Sequence, residues 1–92
     1  MAAKTSYRAN PVVSFKDEGD EGAVLYNPDN DKVVIVNAVG AKTWLYLVEP
    51  RTIGDIATML VETYSGVDVK QGQEDAEKFI ANFDEGFLNE IS

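Results

Sequence analysis

The sequence contains no cysteine and no histidine. Without cysteine there are no disulfides, thiolate nucleophiles or sulfur-ligated metals. Without histidine the Ser-His-Asp and Cys-His arrangements cannot be built, and the commonest zinc ligand is missing. No apolar stretch approaches the roughly 18 residues of a membrane span. The segment from Met1 to Arg8 has charges but no apolar core of a signal peptide. The expectation is a cytoplasmic protein with no cofactor, no metal and no membrane contact. Basic residues are also scarce: 8 Lys and Arg stand against 16 Asp and Glu, for a net charge of −8.

What is present fits one small domain. A chain of 92 residues has no room for a second. With 45% hydrophobic and 26% charged residues it can bury a core and stay soluble. Residues 1–10 read as a polar, flexible lead-in ended by Asn10-Pro11, and residues 11–92 as the domain. Three short β-type runs follow: residues 11–15, 23–26 and 32–36. The third, Lys32-Val33-Val34-Ile35-Val36, has four β-branched residues in succession. Turn formers separate the runs, so they predict a three-stranded antiparallel meander.

The period then changes. Ala41, Trp44, Leu47 and Val48 recur at helical spacing, with Asn37 as N-cap and Pro50 as stop. Thr52 and Asp55 form a capping pair for a second helix, striped by Ile53, Ile56, Ala57, Leu60 and Tyr64 and ended near Gly66. A third helix is expected over residues 73–85. Its stripe is Ala76, Phe79, Ile80 and Phe83, and Gly86 with Phe87 and Leu88 closes it. The fold class is α+β: a three-stranded meander followed by three helices, like a winged helix-turn-helix.

Chemistry-bearing patterns are few. Asp17, Asp20, Asp29 and Asp31 lie in turns but lack the spacing of a calcium loop. Glu74, Asp75, Glu77, Asp84 and Glu85 flank an apolar helix stripe, which is a solvated face and not an acid–base pair in a cleft. Trp44, Phe79, Phe83 and Phe87 read as core rather than as a stacking platform. A winged-helix DNA-binding regulator is one alternative. However, residues 51–92 carry −6 of the charge, and the last helix has five acidic residues against Lys78 alone. That face repels phosphates, so no nucleic acid is expected.

The third run is the most informative. In a meander it lies at an edge with one row of N–H and C=O groups unpaired, and it lacks the charge, proline or bulge that usually blunts such an edge. Three outcomes satisfy it: a covering helix, pairing with a second copy or a scaffold partner, or addition of an extended peptide. Monomer and edge-paired dimer are both compatible with it.

Several segments resemble the PqqD family and the related recognition elements for ribosomally made, post-translationally modified peptides (RiPPs). They are Val24-Leu25-Tyr26-Asn27-Pro28, Val34 through Ala41, Thr52-Ile53-Gly54-Asp55-Ile56-Ala57, Leu60, Tyr64, Asp75-Ala76, Phe79-Ile80, Phe83 and Gly86-Phe87-Leu88. Val36 replaces the family's usual leucine before the Asn, and Glu49-Pro50-Arg51 stands where many members have Asp-Gly. The resemblance implies a non-catalytic peptide chaperone. In it, a leader peptide adds as a strand between the third strand and the third helix and is presented to a modifying enzyme, often a radical S-adenosylmethionine enzyme, in PQQ or other RiPP biosynthesis. Carried onto this chain, the implied peptide-binding residues are Lys32, Val33, Val34, Ile35 and Val36 on one wall and Asp75, Lys78, Phe79 and Asn82 on the other.

Overall fold

The computed structural model describes residues 5–83 and 86–91. Among the described residues, six strands and three α-helices follow in the order β1 (Ser6–Ala9), β2 (Ser14–Asp17), β3 (Ala23–Asn27), β4 (Lys32–Val36), α1 (Ala38–Tyr46), β5 (Arg51–Thr52), α2 (Ile53–Thr63), α3 (Val69–Ala81) and β6 (Leu88–Ile91), with one 3-10 turn (Gly19–Glu21) between β2 and β3. The expected meander is there, with strand order β2-β3-β4 and antiparallel register pairing Phe15 with Leu25 and Leu25 with Val34. Its first strand begins at Ser14 and not at Pro11. Asn10 folds the preceding residues into a turn, accepting Val12 N–H on Oδ1 and Val13 N–H on its carbonyl.

A second small sheet, β5-β1-β6, was not expected. Ser6–Ala9, read as part of a flexible lead-in, is its central strand, with Ser6 opposite Ile91 and Ala9 opposite Leu88. Residues 1–4 of that lead-in lie outside the described residues. The strand has no apolar alternation of its own. It is held by partners distant in sequence, including Ala9 N–H to Leu47 C=O at 2.8 Å.

The helices form where local chemistry starts them. Asn37 Oδ1 accepts Gly40 N–H at 2.8 Å and opens α1. Thr52 and Asp55 make the reciprocal capping box of α2, at 3.1 and 3.0 Å. Both agree with the sequence reading. The first helix ends at Tyr46, though, before Pro50 is reached, and Val48 is 60% exposed rather than core.

The third helix is displaced by four residues. Asp68 caps it by accepting Gln71 N–H at 2.8 Å, so it starts at Val69 and ends at Ala81. Its first turns lack an apolar stripe and include Gly72, a poor helix former. Gly72 is used for closeness: a Cβ there would lie 2.9 Å from the Ala57 carbonyl oxygen. Gly86, at φ 99°, is not the helix cap but the bend into β6. Residues 84 and 85, placed in the helix by the sequence reading, lie outside the described residues.

Leu25, Trp44, Leu47, Ile56, Leu60, Ala76 and Phe87 are buried together, joining β3, all three helices and the approach to β6. Phe83 bridges the aromatic residues, its ring centroid 5.6 Å from Trp44, 4.9 Å from Phe79 and 5.9 Å from Phe87. Trp44 and Phe87 are core as expected, whereas Phe79 and Phe83 are only half-buried.

Candidate functional site

A groove of about 450 Å³ runs between β4 and α3, with α1 and Leu60 of α2 at its base. Val34 and Val36 form its strand side, while Phe79 and Phe83 form its apolar helix side. Asp75, Lys78, Phe79 and Asn82 all line it. Their spacing of three, four and seven residues places them on one helix face. Asn82 is the C-cap of α3, just past its last turn. Asp75 Oδ1 accepts from Gln71 Nε2 at 2.8 Å, which steadies the carboxylate at the rim.

The strand wall is an open edge. Glu18 N–H donates to Gly22 C=O at 2.8 Å, and this fixes the alternation of the β2–β3 ladder. Val24 and Tyr26 bond toward β2, so Ala23, Leu25 and Asn27 bond toward β4. Opposite them, Val36, Val34 and Lys32 turn their backbone groups inward. Val33 and Ile35 therefore direct N–H and C=O away from the sheet, beside the groove. Among the described residues no strand pairs with this edge.

Other edges are less suited to a partner strand. β2 carries Lys16 and Asp17, β5 has two residues, and β6 carries Glu90. Charge and shortness are the usual means of blunting an edge. A larger hollow of about 720 Å³ lies against β6, lined by Tyr7, Ile80, Phe83 and Asn89 among others. It borders the charged strand β6 rather than an uncharged edge, and the β4 groove is the better-defined site.

The residues singled out from the sequence divide by position. Val34, Ile35, Val36, Asp75, Lys78, Phe79 and Asn82 meet at the groove. Lys32 and Val33 belong to the same strand but are exposed and do not line it. Sequence reasoning missed Asn37, Val39, Gly40, Thr43, Leu60 and Phe83 as lining residues. Gly40 gave no signal of this in the sequence; in the structure a Cβ at its position would lie 2.9 Å from Val36 Cβ, so glycine brings α1 close to β4. Thr43 is 2% exposed and donates to Val39 C=O at 2.8 Å, so its hydroxyl is consumed locally. Among the described residues no group of three acidic side chains is placed to hold a metal ion. No helix there is long and apolar enough to cross a membrane.

No curated protein sequence matches the chain. A solved structure described as lasso peptide synthetase B1 complexed with the leader peptide is similar to it in fold, with a TM-score of 0.70. The two share 20% identity over 94% of this chain and 98% of that one. The sequence profile of coenzyme PQQ synthesis protein D (PqqD) matches residues 22–87, from the turn before β3 through the groove to Phe87. The chain belongs to the PqqD family.

Proposed function

We propose that this protein is a non-catalytic chaperone for the leader of a ribosomally made precursor peptide. The leader adds as a strand to β4, α3 closes over it, and the complex is presented in the cytoplasm to a separate modifying enzyme, a role often filled in this family by a radical S-adenosylmethionine enzyme. The observation that carries this reading is the uncharged edge from Val33 to Val36, whose outward backbone groups border the α3 groove. Main-chain hydrogen bonds supply affinity in strand addition, and alternate side-chain sites supply selectivity. The peptide-binding residues are then Lys32 to Val36 with Asp75, Lys78, Phe79 and Asn82. Family membership and the leader-bound lasso peptide synthetase B1, similar in fold, support it.

The test is a titration with a candidate precursor peptide, followed by backbone amide shifts. Shifts along β4 and the groove face of α3 are expected, with the precursor chemically unchanged. Shifts confined to β2, with β4 unmoved at saturation, would overturn the proposal. So would chemical alteration of the peptide by this protein alone. Asp75→Lys changes charge on one wall and leaves the edge intact, so it should weaken binding without abolishing it.

A further inference from the structure

We infer that the peptide taken by this cleft is apolar on both of its faces over about the five residues that β4 spans, and basic on either side of that run. The inference rests on strand addition at β4 and names the chemistry of what is added.

Side chains of an added strand share a face with the β4 residues opposite them. Opposite Val34 and Val36 they enter the groove, among Leu60, Phe79 and Phe83, with Asp75 and Lys78 as its charged groups. Apolar residues belong there. The other face decides more. Antiparallel sheets with one solvated face normally alternate polar-out, yet β4 turns Val33 and Ile35 outward, 55% and 76% exposed. Their direct neighbours on β3 are Tyr26 and Val24, both half-buried. These four make an apolar block that reaches the open edge. Single exposed hydrophobics need no explanation. A block continuous with an unpaired edge is matched by a strand whose outward residues are apolar too.

Charge bounds the run at both ends of β4. The turn before it carries Asp29 and Asp31, exposed, beside Lys32. At the far end Gly22 is packed against the Val36 carbonyl, which brings up the β2–β3 turn with exposed Glu18, Asp20 and Glu21. Lys16 is the basic group there, 3.9 Å from Glu18. On α3, exposed Glu74 and Glu77 add to the same sign. With a net charge of −8 behind them, both exits favour cationic residues.

The experiment uses the full chain and four labelled synthetic peptides, read by fluorescence anisotropy and amide shifts. The reference is Val-Phe-Val-Leu-Val between pairs of lysines. Two peptides replace alternate residues of the run by serine, one set each, so that each face is tested whatever the register. The fourth exchanges lysines for glutamates. Each serine set should lose roughly fivefold in affinity, as expected for two cross-strand apolar pairs. The glutamate peptide should lose at least as much at low salt, and the gap should close near about 1 M salt, where screening is nearly complete. In a Val33→Thr, Ile35→Thr variant, altered at the two exposed apolar residues of β4, one of the two serine penalties should vanish. Equal binding of either serine peptide or of the glutamate peptide overturns the inference. If all four shift Val33 and Ile35 without preference, strand addition stands and this inference fails. If none shifts β4, both fail.

Discussion

Asn27 and Gly86 lie 59 positions apart and are joined by a 2.7 Å hydrogen bond from Asn27 Nδ2 to the Gly86 carbonyl. Asn10 Nδ2 donates to the same oxygen, also at 2.7 Å. Asn27 is 1% exposed, and its Oδ1 accepts Asp29 N–H at 2.8 Å, so one buried amide ties the β3–β4 hairpin to the approach of β6. Asn27→Leu leaves backbone groups without this partner. It should cost about 2–3 kcal/mol in urea unfolding, the usual penalty for orphaned buried polar groups. Gly86→Ala should also destabilise, because its Cβ would lie 2.7 Å from Asn27 Nδ2 and its φ is 99°. Wild-type stability in both variants would show that the tie is incidental.

That tie also shows why part of the fold was legible and part was not. β4 announces itself by four β-branched residues, and Asn37, Thr52 and Asp55 are caps whose chemistry is local. Phe79 and the positions three and four residues before it reveal one helix face by spacing alone. By contrast, β1 and β6 exist only because Ser6 to Ala9 meets residues 88–91, and neither segment carries a period that demands a strand. The start of α3 was hidden by Gly72, whose low propensity is offset by close packing on Ala57. The groove's base came from α1, because Gly40 and Thr43 look like ordinary helix residues until Val36 is placed beside them.

Gly40 gives a second prediction. A methyl group there must displace Val36, since the Cβ–Cβ separation would be 2.9 Å. Gly40→Ala gains helix propensity of about 1 kcal/mol, but overpacking of about 1–3 kcal/mol opposes it. The net effect on unfolding should be neutral to destabilising. Because Val36 forms the strand side of the groove, peptide affinity should fall even where stability is kept. Stabilisation with unchanged affinity would mean that α1 and β4 separate at no cost.

Tyr26 gives a pH-dependent prediction. Its hydroxyl donates to Asp31 Oδ1 across the hairpin. That hydrogen bond, with smaller contributions from desolvation and the negative charge of Asp31, raises the phenol pKa above 10.0. A pKa raised by folding means that the neutral phenol is the stabilised form. Its contribution is therefore complete below the unfolded value and is lost as pH rises through the folded one. Tyr26→Phe should be less stable than the wild type at about pH 8, and the gap should narrow above the ordinary phenol pKa of about 10. Urea unfolding followed by Trp44 fluorescence checks this; a gap that widens with alkali would contradict the assignment.

The last prediction separates the backbone from the side chains of β4. Ile35 points its N–H outward, so Ile35→Pro removes a donor that the β2-β3-β4 ladder does not use. It should leave the far-ultraviolet circular dichroism near that of the wild type and reduce peptide binding by tenfold or more. The donor is then lost and the pyrrolidine ring sits where the added strand must approach. Val34 points its N–H at Leu25, and Val34→Pro breaks that ladder bond. Proline in the ladder costs on the order of 3 kcal/mol, a large share of the stability of a small domain. Its loss of binding should therefore be accompanied by loss of folding. Ile35→Ala keeps the N–H and should bind within a few-fold of the wild type. A folded Ile35→Pro variant that bound peptide normally would refute the outward register of Val33 and Ile35. Equal damage to folding by both prolines would refute it too.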